Sequence, residues 1–160
     1  MIDADTFRAV LGRFACGITI VTARDEHERD HGMTVSAFCS LSLDPPLVLL
    51  CVDKTATMYD LLRTHPAFGV SILSSAQEAY SRRFADKKSE RAERFDGMAY
   101  TRGVNGVVLL EGALAHLECQ IIKHYDQGDH MILIGQVDRA EPLDGRPLLY
   151  FRGGYTQIDR

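Results

Sequence analysis

The chain reads as an α+β protein, an antiparallel sheet or barrel with helices packed outside it. Three observations lead there. Most strand-like segments follow one another directly, and only three helical segments interrupt them. The last third is rich in strand formers separated by glycine turns. No G-x-G-x-x-G follows any strand and no P-loop is present, so nothing marks a doubly wound parallel sheet with a Rossmann site.

In chain order, Phe7, Val10, Leu11 and Phe14 fall at helical spacing behind Asp3 and Asp5, both suited to a helix start. An amphipathic helix is expected, ended by Gly17. Gly17-Ile-Thr-Ile-Val-Thr22 reads as a strand, and a polar turn through Asp25 to Asp30 returns the chain into a second strand near His31. Leu47-Val-Leu-Leu-Cys-Val52 and Phe68-Gly-Val-Ser-Ile-Leu73 are short apolar runs of buried-strand length. Between them, Thr57 to His65 carries Met58, Leu61 and Leu62 at helical spacing, and Pro66 stops it. Ser75-Ala-Gln-Glu78 has capping-box spacing and opens a third helix that ends near Ala85. Asp86 to Arg94 alternates charges and reads as a solvated helix or loop. Val107 to Leu110, Ala113 to Tyr125 and Met131 to Ala140 complete the strands.

At 160 residues, a single domain over 1–160 can bury about two-thirds of its unfolded surface. Neither a linker nor a repeat divides it. Lys plus Arg number 18 against 22 Asp plus Glu, a net charge of -4. That balance offers no basic footprint for nucleic acid or an anionic membrane. No apolar run approaches the ~20 residues that span a bilayer, and the acidic start is unlike a signal peptide. A cytoplasmic protein is expected. Cys16, Cys39, Cys51 and Cys119 are dispersed, without a C-x-x-C pair. They read as reduced thiols in the core or lining a pocket, and no metal is expected.

The most informative stretch is Gly32-Met-Thr-Val-Ser-Ala-Phe-Cys-Ser-Leu-Ser-Leu-Asp-Pro-Pro-Leu47. If extended, it puts Thr34, Ser36, Phe38, Ser40 and Ser42 on one face and Met33, Val35, Ala37, Cys39, Leu41 and Leu43 on the other. Alternation alone fits a half-exposed strand. The polar face carries hydroxyls and no charge, however, which suits a wall around a bound polar ligand.

This stretch resembles the short-chain flavin reductases that serve two-component flavin-dependent monooxygenases. The likeness continues in order through Gly17-Ile-Thr-Ile-Val-Thr22, Arg83-Phe-Ala85, Leu110-Glu-Gly112, Tyr125-Asp-Gln-Gly-Asp-His130 and Pro147-Leu-Leu-Tyr-Phe-Arg152. It therefore covers nearly the whole chain. The resemblance implies an FMN-binding split β-barrel, a homodimer, and reduction of FMN or FAD by NADH or NADPH for a partner monooxygenase. It also implies that Thr34, Val35, Ser36, Ala37, Ser40 and Ser42, by side chain or backbone, line the flavin. Cys51, Val52, Asp53, Lys54 and Thr55 match the family's strand end and phosphate-side loop, and Arg83 and Phe84 a second cofactor contact. His130 matches the position where the nicotinamide arrives, and Tyr155 is a candidate to close the pocket over it.

The residues also carry plainer readings. Asp53-Lys-Thr-Ala56 leaves a buried strand for a helix, where backbone N–H groups and Lys54 could meet a phosphate or could form an ordinary cap. Arg83 suits a surface ion pair as well as a cofactor. His130 suits a solvated turn or, with His124, Asp126 and Asp129, a metal site, although that spacing matches no standard one. Two rival functions remain: a flavin-binding electron-transfer or storage module without a nicotinamide site, and an oxidase of the pyridoxamine-phosphate type.

Overall fold

Five consecutive residues of one strand, Thr19 to Ala23, are buried, so both faces of that strand must be covered. The computed structural model describes residues 1–86 and 92–158, and within them the two coverings are distinct. The element order is α1 (Ala4–Leu11), β1 (Cys16–Gly17), β2 (Thr19–Arg24), β3 (Asp30–Val35), β4 (Phe38–Leu43), β5 (Pro46–Asp53), α2 (Tyr59–Thr64) and β6 (Ala67–Ile72). There follow a 3-10 turn over Ser75–Gln77, α3 (Glu78–Ala85), a second 3-10 turn over Ala92–Phe95, β7 (Tyr100–Arg102) and β8 (Val108–Leu110). Two long strands, β9 (Ala115–Gln127) and β10 (His130–Pro142), and the short β11 (Leu149–Phe151) and β12 (Gly154–Thr156) end the chain.

The main sheet has seven strands in the order β3-β2-β6-β9-β10-β5-β4, with every neighbouring pair antiparallel. Its two edge strands, β3 and β4, are consecutive in the chain and joined only by Ser36 and Ala37. Laid flat, seven strands would separate those edges by about 29 Å. The connection reaches no more than about 11 Å. The sheet must therefore curl until its edges meet, an antiparallel barrel split between β3 and β4. Val35 of β3 and Val48 of β5 accordingly share one core with Val21, Leu50, Phe68, Val70, Met131 and Leu133, closed by Met58 and Leu62 from the α2 side.

The second core covers the other face of β2. Ile18 and Ile20 pack there with Leu73, Phe84 of α3, Met98, Val108, Leu110 and Leu148. Close approach is enforced at Gly32, where a Cβ would lie 2.5 Å from the Phe84 ring. Only glycine lets α3 sit this near β3.

Several sequence expectations need correction. The first helix ends at Leu11 with Gly12 as its cap, not at Gly17, and none of its residues is buried. The stretch from Gly32 to Leu47 is not one strand, because the chain breaks at Ser36–Ala37 to cross the split, and a bulge follows between Ser40 and Ser42. Strict two-face alternation is lost there. The capping box is formed by Ser74 and Gln77, one residue before the expected pair. Of the cysteines, Cys119 is buried and Cys16 and Cys51 are half-buried, but Cys39 is exposed on edge strand β4. Part of the segment Asp86 to Arg94 lies outside the described residues; its last member is not solvated but 5% exposed.

Candidate active site

The end of β5 is held by its own last side chain. Asp53 Oδ1 accepts from the Thr55 amide at 2.7 Å and the Thr55 hydroxyl at 2.8 Å, and the Asp53 carbonyl accepts from Ala56 N–H at 2.9 Å. Such local capture competes with helix formation. The helix entrance expected beside Lys54 is thus displaced, and α2 begins only at Tyr59.

Between this turn, β3 and the end of α3 lies a cleft of about 390 Å³, lined by Met33, Thr34, Asp53, Thr55, Ala56, Thr57, Phe84, Ala85, Asp86 and Arg94. That volume falls within the ~300–1,000 Å³ usual for ligand pockets. Thr34 is fixed by donating its hydroxyl to Ser81 O at 2.7 Å. Phe84 is 2% exposed and meets Phe95 edge to face at 4.9 Å. Arg94 donates through Nη1 to Gly32 O at 3.0 Å and through Nη2 to Asp86 O at 2.6 Å. Of the expected cofactor residues, Thr34, Asp53, Thr55 and Phe84 converge on this cleft.

The others stand elsewhere. Ser36 and Ala37 are exposed in the β3–β4 crossing, Ser40 is exposed and Ser42 half-buried along β4. Cys51 is half-buried, and its N–H donates to Ala37 O at 3.0 Å. Burial pushes its thiol pKa up, and neighbouring Cys39 adds to the shift. Val35 and Val52 are buried in the first core, which leaves them only backbone to offer a ligand. Arg83 donates to Asp96 O at 2.8 Å, joining α3 to the following turn. Tyr155 is not over the cleft. Its hydroxyl meets Ser81 Oγ at 2.8 Å, Arg82 stacks on its ring at 4.6 Å, and it lines a separate shallow cleft with Ser75, Glu78 and Leu148.

His130 opens β10 as the register partner of Asp53, which sets their Cα atoms ~4.5–5.5 Å apart across the ladder. Its Nδ1 lies 2.7 Å from Asp129 Oδ1. An ionised carboxylate only accepts, so Nδ1 carries the proton and Nε2 is left to meet a ligand. The hydrogen bond from His130, then its charge, holds the Asp129 carboxyl below its usual range. Lys54 serves the same hairpin: its amide donates to Asp129 O at 3.0 Å and Nζ donates to Gly128 O at 2.9 Å. Asp126 accepts from the Tyr59 hydroxyl at 3.0 Å. Among the described residues, no three His, Cys, Asp or Glu side chains gather as a metal site.

Sequence reasoning missed Met33, Ala56, Thr57, Ala85, Asp86 and Arg94. Most adjoin residues it did select. Arg94 gave no local signal, since a guanidinium bonded to distant carbonyls looks in sequence like any solvated arginine.

Comparison with known proteins identifies the family. The model of the flavin reductase like domain matches residues 11–159. The chain is 42% identical over 154 residues to an NADH-dependent FAD reductase of Streptomyces globisporus, covering 95% of this chain and 84% of that one. It is 41% identical over 155 residues to the reductase component of 4-hydroxyphenylacetate 3-monooxygenase of Thermus thermophilus, covering 96% of each. The flavin reductase component of a bacterial two-component tryptophan halogenase superposes with a TM-score of 0.92 at 37% identity, over 99% of this chain and all of that one. With a family match across nearly all of its length and relatives above 40% identity, the chain belongs to the flavin reductase like domain family.

Proposed function

We propose that this protein is an NAD(P)H-dependent flavin reductase that passes reduced FMN or FAD to a partner monooxygenase. The observation that carries the reading is the pairing of His130 with Asp53, itself a lining residue of a cleft of cofactor size. The donor set suits a flavin. Met33, Ala56, Phe84 and Ala85 offer apolar wall for a flat ring system, Thr57 offers a hydroxyl, and the Thr34 and Thr55 hydroxyl oxygens, whose protons go to Ser81 O and Asp53, offer acceptors to a hydroxylated chain. Relatives named as an NADH-dependent FAD reductase and as a monooxygenase reductase component support the same class.

A bound flavin supplies the ring that accepts hydride from the nicotinamide. The protein's part is positional. Thr34, anchored on Ser81, and the Asp53–Thr57 turn fix one side of the cleft, and Phe84 excludes water from the other. Backbone N–H groups and hydroxyls along Ser36, Ala37, Ser40 and Ser42 extend the polar wall across the split. His130, oriented by Asp129, holds the nicotinamide against the ring, where rate depends on alignment. The protein acts as one domain, as a homodimer, and in the cytoplasm; among the described residues no helix is long and apolar enough to cross a membrane.

The test is spectroscopic. Protein, flavin and NADH are mixed without oxygen and the flavin absorbance is followed. Catalytic bleaching is expected with FMN or FAD. Tight flavin binding without bleaching would instead identify a storage or electron-transfer module.

A further inference from the structure

The turn of Gly128 and Asp129 between β9 and β10 is backed on one side and free on the other. On the β10 side the ladder with β5 continues to the pair His130 and Asp53. On the β9 side, β6 reaches as far as Gln120, the register partner of Ala67, and the Ile121 amide donates to Pro66 O at 2.7 Å. Beyond that point, among the described residues, β10 is the sole strand beside β9. Every residue from Ile122 to Gln127 is exposed, so core packing does not hold this end. Strand ends with solvent-exposed hydrogen bonds and few apolar contacts are where native chains open locally. Such an opening would displace Asp129, which orients the His130 imidazole at 2.7 Å.

A side chain of α2 bridges the free side to the core. Tyr59, the first residue of that helix, packs its ring against the first core. Its hydroxyl donates to Asp126 Oδ1 at 3.0 Å. Arg63, one turn along the helix, donates to the same hydroxyl oxygen at 2.8 Å and stacks on the ring at 5.4 Å. The direction of the chain is thereby fixed. A guanidinium has no acceptor, so the phenol oxygen accepts from Arg63 and its own single proton goes to the carboxylate. Each bond polarises the next, which strengthens such a chain. Arg63 and Asp126 themselves stand 3.8 Å apart and are 41% and 42% exposed, and a surface ion pair of that kind contributes little. The tie therefore rests on the Tyr59 hydroxyl. Tyrosine suits the task, because its ring is fixed at small entropic cost while its polar tip reaches outward.

We propose that Tyr59 is a positioning residue for hydride transfer: through Asp126 it fixes the turn that carries Asp129, and so sets how the His130 imidazole meets the nicotinamide. This rests on the reductase reading and on the place of His130 in it. Turnover with NADH and FMN, both saturating, tests it on the natural chain, Tyr59→Phe, His130→Ala and the double variant. Tyr59→Phe removes the hydroxyl and keeps the ring against the core, so the fold is retained. It should lower turnover about 3- to 10-fold, within the range by which one partly exposed hydrogen bond shifts a population. Flavin affinity, measured by titration, should change far less, because Tyr59 does not line the flavin cleft. The double variant should turn over no more slowly than His130→Ala, since a residue that acts through His130 then has nothing left to position. Asp126→Ala should reproduce the loss, and Asp126→Asn, which keeps an acceptor oxygen, should lose less. Unchanged turnover in Tyr59→Phe would overturn the proposal. Equal losses with and without His130 would do the same, marking Tyr59 as a support of the fold. His130→Ala turning over like the natural chain would remove His130 from the site, and a natural chain that leaves flavin unreduced would reject the reductase reading; either result also overturns the role of Tyr59.

Discussion

Lys54 and His130 reach the same hairpin from opposite strands, and their bonds separate two roles that sequence alone leaves merged. Lys54 follows a buried strand, as a phosphate ligand would, yet its ammonium donates to Gly128 O at 2.9 Å. Losing that bond loosens the turn that carries Asp129 and His130. Lys54→Ala should therefore weaken FMN and riboflavin by the same factor, about 2- to 10-fold, the net range of one ordinary solvent-exposed hydrogen bond. Flavin titration decides it, since a loss confined to FMN would return Lys54 to the phosphate. His130 touches no other described side chain through a bond shorter than that to Asp129. His130→Ala should lower turnover with NADH on the order of a hundredfold, because a misplacement of about 1 Å can cost that much. Flavin affinity should change far less. Equal losses in both measurements would show that His130 supports the flavin and not the nicotinamide. In sequence His130 is singled out by the resemblance of Gly128-Asp-His130 to the family's motif, whereas nothing singles out Arg94: its partners Gly32 O and Asp86 O are set by folding.

The hairpin of β2 and β3 shows how a polar turn gains rigidity. Asp25 Oδ1 accepts from the amides of His27 and Arg29, each at 2.9 Å, and Oδ2 from Arg29 Nε at 2.8 Å and His31 Nε2 at 2.9 Å. Burial alone would raise this carboxyl's pKa, but the His31 and Arg29 bonds outweigh it and hold it well below the usual range. A carboxyl depressed in the folded state stabilises fully above its unfolded pKa of about 3.9 and loses that contribution as pH falls toward its folded value. Asp25→Asn should thus be less stable than the natural chain at pH 7, with the gap narrowing below about pH 4. Urea unfolding at several pH values measures it, and a gap independent of pH would assign the effect to lost packing. At this level the sequence was informative for β5 and β6, whose apolar runs match the strands within a residue or two. It misled at Gly32–Leu47, where an unbroken alternation hides a crossing between sheet edges. Local pattern carries no record of which edge a strand joins.

Closure of the barrel leaves the apolar stripe of α1 without a cover among the described residues. In α1, Phe7, Val10 and Leu11 are 53%, 58% and 50% exposed, and Phe14 just beyond is 77% exposed. Helical spacing predicted this stripe, and a stripe of that kind normally faces a core. Here no residue of the helix is buried. An eight-residue helix has too few hydrogen bonds to repay its nucleation in water, so its stability must come from packing. The cap at Asp3, which accepts from the Thr6 amide at 2.8 Å, contributes only about 1 kcal/mol. A second copy of the chain is the occupant that the homodimer reading supplies, and burying the still-exposed part of these four side chains would stabilise it by roughly 3–4 kcal/mol per copy at the low end of the usual range. Sedimentation at micromolar concentration should therefore find a dimer. The double variant Phe7→Glu, Leu11→Glu should sediment as a monomer and lose α1 signals, while Gly32 to Phe84 contacts and flavin binding at the Thr34 cleft persist in part. A monomeric natural chain, or a double variant that stays dimeric, would mean that α1 is not where two copies meet.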